Sequence, residues 1–437
     1  MNKLKKGDKK LLNAWAFYDW ANSVYSLVIS TAVFPIYYSS MTSSFANLDG
    51  DIEFLGTHWN PTTLYDYTLS LSFLIVAVMS PILSGIADFT GNKLKFLKVF
   101  CLIGALSVMS LYFFEGESTL WVAILFTITA SVGFWGSIVF YNAYLPEIAY
   151  PEQQDNVSAK GFMFGYTGSI ILMILSLILI QTSVFGYFDE TVGSRITFVL
   201  VGLWWLGFAQ ITYQKLPNNV YDHKPQKHFI WNGFNELKKV SIIIAKFKDL
   251  KRFLISFFFF SVGVQTIVLM AGIFGSEELG LPTFNLILTI MLVQIVAILG
   301  AFLFSRLSNR YGNLMALKLT LVIWCIVCFI AYSLDKDLEK IDLYFYALGG
   351  VLGLVLGATQ SLARSTYSKL LPETEDHATF FSFYDVTEKI AIVLGMFLFG
   401  LLNSITNSMQ LSVLFLAIFF LISFIIISTI KGNDYVK

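Results

Sequence analysis

Residues 67–114 read YTLSLSFLIVAVMSPILSGIADFTGNKLKFLKVFCLIGALSVMSLYFF. Two apolar runs, 67–88 and 96–114, flank a short polar turn that holds Asp88, Gly91, Asn92 and Lys93. A helix that crosses a bilayer needs about 20 apolar residues, so each run is long enough to span. The short connection makes them antiparallel neighbours. The same alternation extends both ways along the chain, giving twelve runs at 14–42, 67–88, 96–114, 119–145, 159–184, 194–213, 252–276, 282–305, 313–333, 342–370, 378–404 and 410–431.

Composition points the same way. Of 437 residues, 56% are hydrophobic, 42 are Phe and only 13% are charged, against about 25% charged in an average soluble chain. Mean hydropathy is +0.69. Water cannot cover such a surface, and a formal net charge of zero offers nothing basic to nucleic acid. The expected fold class is therefore an all-α integral membrane protein with twelve transmembrane helices. The N-terminal MNKLKKGDKK runs straight into the first span with no small-residue cleavage site, so it does not read as a signal peptide.

Lys and Arg favour the cytoplasmic side of a membrane, and here they separate by alternate loops. One set holds Lys3 to Lys10, then Lys93, Lys95 and Lys98, then the 214–251 stretch, then Arg306 and Arg310, Lys369, and Lys431 with Lys437. The other holds Asp49, Asp51, Glu53, Glu115, Glu117, Asp189, Glu190, Glu277 and Glu278, with Lys336 and Lys340, and Arg195 at a boundary. Both termini are expected to be cytoplasmic, in a cell membrane. The 214–251 stretch divides the chain six plus six. Its Ile230, Phe234, Leu237, Ile244 and Phe247 recur at helical spacing between lysines, as in an interfacial amphipathic helix; a solvated linker is the alternative. The expected domains are a 1–13 terminus, a 14–213 half, a 214–251 linker, a 252–431 half and a 432–437 tail.

A shift of 221 residues carries Gly85–Asn92 onto Arg306–Asn313, each after an even-numbered span of its half. Leu145-Pro146-Glu147 likewise matches Leu371-Pro372-Glu373. Two six-helix pseudo-repeats are implied.

The turn Gly85-x-x-Asp88-x-x-Gly91-Asn92-Lys93 resembles the signature loop of the major facilitator superfamily. Tyr18-Asp19-Trp20-Ala21-Asn22-Ser23, Gly263-Val264-Gln265-Thr266, Gln360-Ser361-Leu362-Ala363-Arg364-Ser365 and Phe381-Ser382-Phe383-Tyr384-Asp385 narrow the likeness. Together they resemble the branch related to fungal vacuolar amino-acid effluxers of the autophagy pathway and its bacterial members. The resemblance implies the major facilitator fold, a cavity lined by spans one, four, seven and ten, and an amino acid as solute. It also implies that Asp88 latches the halves by meeting the start of span eleven.

Charges inside spans cost about 2.5–3.5 kcal/mol each on insertion scales, so those present are expected to have work to do. Asp385, Glu388 and Lys389 share one face of span eleven, and the acid-before-base order suits an Asp385–Lys389 pair. At about 1.5 Å per residue, Asp385 lies ~9 Å inside Thr379, Arg364 at a similar depth and Asp19 at ~10 Å. Arg364 and Asp385 can thus pair across helices as an inner gate; a permanent structural pair is the alternative. Glu388 and Lys389 lie near the midplane, where Lys389 can hold a carboxylate and Glu388 an ammonium or a coupling proton. Asn22, Tyr25 and Ser26 of span one, Trp135, Tyr141 and Asn142 of span four, and the amides Gln265, Gln294 and Gln360 are candidate cavity surface. Gly161 and Gly165 read as packing positions.

No enzyme motif stands out. His58, His223, His228 and His377 are all expected in loops, and GxxxxGK[ST] and GxSxG are missing. Cys101, Cys325 and Cys328 lack a second ligand pair, so neither metal nor cofactor is expected. The leading reading is a secondary carrier of a small organic solute with the proton as candidate coupling ion. A facilitator or drug and metabolite exporter of the same fold, and a transport-dead membrane receptor, are the alternatives.

Overall fold

The computed structural model describes residues 5–181, 190–218 and 229–431. Among them stand twelve helices long and apolar enough to cross a membrane. They are Lys9–Ser43, Pro61–Thr90, Lys93–Phe113, Glu117–Ile148, Pro151–Ile180, Thr191–Tyr213, Lys248–Glu278, Phe284–Tyr311, Asn313–Ser333, Ile341–Leu370, His377–Thr406 and Met409–Ser428, called spans one to twelve below. Asp189, His223, His228 and the 432–437 tail lie outside the described residues.

Local chemistry sets several ends. Asp8 accepts the Lys10 and Leu11 amides ahead of span one, and Asn60 accepts those of Thr62 and Thr63 with Pro61 in the first helical position. Span two stops at Gly91, whose φ of 69° is left-handed, and span eight stops at Gly312, φ 86°. These two glycines are the pair that the 221-residue shift superposes, and both sit at positive φ, but Gly91 is left-handed helical (ψ 15°) whereas Gly312 is extended (ψ 153°), so the halves share the need for glycine and not one turn geometry. The loop with Asp49, Asp51 and Glu53 departs from an all-helical expectation. It folds into a small antiparallel hairpin, β1 (Ile52–Phe54) and β2 (Thr57–Trp59), turned by Leu55 and Gly56, both at positive φ.

Spans one to six pack with one another, and so do seven to twelve. The halves meet where span two lies on span eleven, span five on spans eight and ten, and span four on span eleven. With an even number of spans, both chain ends lie on one face of the bundle: Gly7 bonds the Ile148 carbonyl there, and Lys431 lies beside Asn313 and Lys369. We call this the terminal face. The linker forms a helix, Phe229–Lys246, that packs on span two. Val240 is buried, Leu237 and Ile244 are half-buried and Lys238, Lys239 and Lys246 are exposed, so this part of the apolar stripe is used against protein, whereas Phe247 lies past the end of the helix and is exposed. The side chains of Ile230 and Phe234 lie outside the described ones.

Span one is not a uniform α-helix. Its middle, Tyr25–Val33, winds as a π-helix, a form that recurs at functional sites.

Candidate functional site

A cavity with about 1490 Å³ of empty space, open solvent included, lies between the halves. Of the residues expected to face it, Tyr25, Ser26, Trp135, Asn142, Gln265, Gln360 and Glu388 do. Gln294 faces a neighbouring chamber, Lys389 is not in the lining, and neither are two others. Asn22 is fully buried and neither amide atom has a partner. Tyr141 sits below the cavity, stacked on Trp15 with ring centroids 4.4 Å apart. Both lie on a cavity-forming helix but on its inner side, which span membership does not reveal.

The floor is built on Arg364 of span ten. Its Nη1 and Nη2 each donate to Asp19 Oδ2 at 3.2 Å, Nε donates to Ser158 Oγ at 3.0 Å, and Nη2 also donates to the Ser158 carbonyl at 2.8 Å. Tyr141 adds its hydroxyl to the same Asp19 oxygen at 2.9 Å. The rings of Trp15, Tyr141 and Phe162 surround the guanidinium, which stacks on aromatic faces as an ammonium does less well. One C-half cation is thus held by spans one, four and five of the N-half. Gly161 permits this: a Cβ there would run into both the Asp19 carboxylate and the Arg364 guanidinium. Close approach to an ion pair, in addition to helix packing, makes it glycine.

The expected Arg364–Asp385 pair does not form. Arg364 takes Asp19, and Asp385 Oδ1 pairs instead with Lys389 Nζ at 3.1 Å, one turn along its own helix. Depth along a helix says nothing of azimuth, and Arg364 points toward the opposite half.

Above the floor, Gln265 donates to Glu388 Oε1 at 2.8 Å and Lys389 donates to Glu388 Oε2 at 3.2 Å. Lys389 Nζ stands 3.3 Å from the centre of the Trp135 ring, a contact that crosses from the C-half to the N-half. Tyr166 of span five donates to Gln360 Oε1 at 2.9 Å. Beside this polar cavity opens an apolar chamber bounded by Leu286, Val293, Phe345 and Leu352, into which the buried, unpartnered amide of Gln294 faces.

On the terminal face Asp88 accepts the backbone amides of Ala378 (3.2 Å) and Thr379 (2.7 Å) and the Thr379 hydroxyl (2.9 Å). A carboxylate at a helix N-terminus meets both unpaired amides and the positive end of the dipole. Lys93 ties Asp88 to Glu147, and His377 Nδ1 lies 3.1 Å from Glu147 Oε1. His377 is therefore no loop residue: it opens span eleven, buried. Gly85 abuts the Gly233 carbonyl of the linker helix, where a side chain has no room.

A second cluster occupies the equivalent place of the other half. Asp155, opening span five, accepts Lys369 at 2.7 Å, Asn313 at 2.7 Å and Ser308 at 2.9 Å. Sequence reading missed Asp155, Glu147 and His377. Glu147 stood within the repeated Leu-Pro-Glu, but Asp155 had no signal, because the turn it joins belongs to the far half of the chain.

Two six-helix halves around a central polar cavity define a transporter of the major facilitator superfamily, a multi-pass membrane protein. Solved structures agree on the fold. The MFS proton:xylose symporter XylE bound to 6-bromo-6-deoxy-D-glucose superposes with a TM-score of 0.69 at 12% identity over 97% of this chain and 96% of that one. FucP in the outward conformation gives 0.68 at 13% over 97% and 98%. Among relatives by sequence, the MFS-type transporter YxiO of Bacillus subtilis (strain 168) is 33% identical over 420 residues, 95% of this chain and 94% of that one. Autophagy-related protein 22 of Saccharomyces cerevisiae (strain ATCC 204508 / S288c) is 27% identical over 415 residues, 82% of this chain and 76% of that one. Residues 7–433 match the family described as Vacuole effluxer Atg22 like, and the chain belongs to it.

Proposed function

We propose that this chain is a secondary carrier that moves amino acids across a cell membrane by alternating access, with its terminal face in the cytoplasm. The observation that carries the reading is the Arg364–Asp19 pair. A single C-half side chain, bonded to three N-half helices at the cavity floor, is what must come apart for the cavity to open toward the terminal face. The solute class follows from the walls. Glu388 and the Gln265 and Gln360 amides can meet an ammonium and a carboxylate, and the adjoining apolar chamber gives room to the body of the solute. The side assignment rests on the basic residues Lys6, Lys93, Lys369 and Lys431 of the terminal face.

Counterflow tests this. Proteoliposomes loaded with an unlabelled mixture of L-amino acids are expected to accumulate trace labelled amino acids without an imposed gradient. Absence of exchange by protein of native fold sinks the carrier reading for amino acids, and binding without flux would favour a receptor.

A further inference from the structure

Five ionisable side chains occupy the middle of the bundle: Asp19 and Arg364 at the floor, and Asp385, Glu388 and Lys389 above it. Three carboxylates face two cations, so the group is one positive charge short of neutrality. An uncompensated charge buried in a membrane-spanning bundle costs several kcal/mol, and a single proton removes it.

The hydrogen bonds say which carboxylate has room for that proton. Asp19 Oδ2 is saturated by Arg364 and Tyr141. Glu388 is bonded at both oxygens, by Gln265 and by Lys389. Asp385 is 3% exposed, pairs with Lys389 through Oδ1, and its Oδ2 is buried without a partner. A bare anionic oxygen in that setting is the costliest of the six to leave charged. We propose that Asp385 is the proton carrier of the transport cycle, holding one proton on Oδ2 in this conformation, with its release governed by the Lys389–Trp135 contact. The link to transport rests on the carrier reading; the proton site itself does not.

The neighbouring elements add no second ionic partner at this depth. Span two brings Tyr65, Asp66 and Tyr67 at one end and Asp88 at the other, where Asp88 meets Thr379. Span four brings Trp135 beside Lys389, Tyr141 bonded to Asp19, and Tyr144 and Glu147 on the terminal face. Span seven has its charges at its ends, Lys248 to Arg252 and Glu277 with Glu278, and span twelve has none. The linker's Lys239, itself paired with Glu236, reaches Asp376, ahead of span eleven. Span ten brings Tyr367, which packs on Tyr384 and donates to the Phe380 carbonyl, and Arg364, which is turned to Asp19; Tyr384, Glu388 and Lys389 on Asp385's own helix complete the set.

Trp135 belongs to the N-half and Lys389 to the C-half, so rocking separates them. The freed ammonium can then turn fully to Asp385. Water entering the opened cavity takes the proton from Oδ2 and leaves a carboxylate paired with Lys389; closure on the other side reverses the exchange.

The test is pH-difference infrared spectroscopy of the full chain in liposomes, following carboxylic-acid C=O bands that shift in D₂O. The parent is expected to show a titrating band that survives in Glu388→Gln, disappears completely in Asp385→Asn and moves in Asp385→Glu. Trp135→Leu is expected to shift its midpoint. A band that persists unchanged in Asp385→Asn, a parent without one, or, should Asp385→Asn fail to assemble, an unmoved band in Asp385→Glu overturns the proposal. Counterflow of the L-amino-acid mixture separates the two readings. An Asp385-dependent band without exchange supports the proton site and removes the amino-acid carrier; exchange without the band does the reverse.

Discussion

Arg364 is one side chain of span ten that reaches three helices of the opposite half, and its burial decides what its loss would do. Removing either member of a buried ion pair leaves an unpaired charge, at a cost of about 3–5 kcal/mol. Arg364→Ala is expected to lose transport at equal membrane abundance. The exchange Asp19→Arg with Arg364→Asp is expected to recover part of it, because the charges still meet, although Ser158 and the three rings are arranged around a guanidinium from span ten. Uptake assays on the four proteins check this; a double variant no better than its worse parent would show that the two side chains do not act as a pair. Asp385 is not part of that cycle, since its partner is Lys389.

At the scale of elements, span eleven is held at its first turn from several directions. Asp88 caps its amides, Glu147 meets His377, and Lys239 of the linker helix reaches Asp376 at 2.8 Å. Burial works to lower the Lys239 ammonium, but hydrogen bonds to Asp376 and Glu236 outweigh it and push its pKa up to about 12. A raised lysine pKa means this tie is fully present at lower pH and lost only as pH rises through that value, so it persists at neutral pH. The Asp88 latch is of another kind, a buried carboxylate on backbone amides. Asp88→Asn keeps an acceptor and loses the charge, which at a buried helix terminus is worth up to about 2 kcal/mol, or as much as ~30-fold in a conformational equilibrium. A cysteine at Ser382, buried beneath the latch, is expected to react faster with a thiol reagent by up to that factor in the Asp88→Asn background. Unchanged labelling would mean that the neutral amide holds span eleven as well as the carboxylate does.

The whole molecule is a pair of halves joined where spans two, four and five meet spans eight, ten and eleven. Two clusters pin the terminal face: in one, Asp88 and Glu147 of the first half meet the Ala378 and Thr379 amides and His377 of the second, and in the other Asp155 of the first half meets Lys369 of the second. Opening that face requires both to break together with Arg364–Asp19, while the far side of the cavity closes. Which face looks into the cell is checked by labelling. In a variant lacking Cys101, Cys325 and Cys328, cysteines at Asp51 and Lys238 are expected to react with an impermeant reagent from opposite sides. Reaction of both in intact cells contradicts the assigned topology.

Length and hydropathy alone determined the twelve spans, because a bilayer demands a fixed apolar length and lipid punishes charge wherever it falls. Repetition determined the duplicated glycine: Gly91 and Gly312 need positive φ in both copies, and a local backbone demand is written locally. The Asp88 cap on span eleven was anticipated through family likeness, and the Asp385–Lys389 pair through helical spacing, which fixes neighbours on one face. Everything that depends on how one helix is turned toward another was decided by the tertiary structure. Arg364 chose Asp19 over Asp385, Tyr141 and Asn22 turned away from the cavity, and Asp155 found Lys369 across 214 residues of chain. Rise along a helix gives depth, but azimuth and helix–helix contact come from packing the two halves together, and no single segment of sequence carries that information.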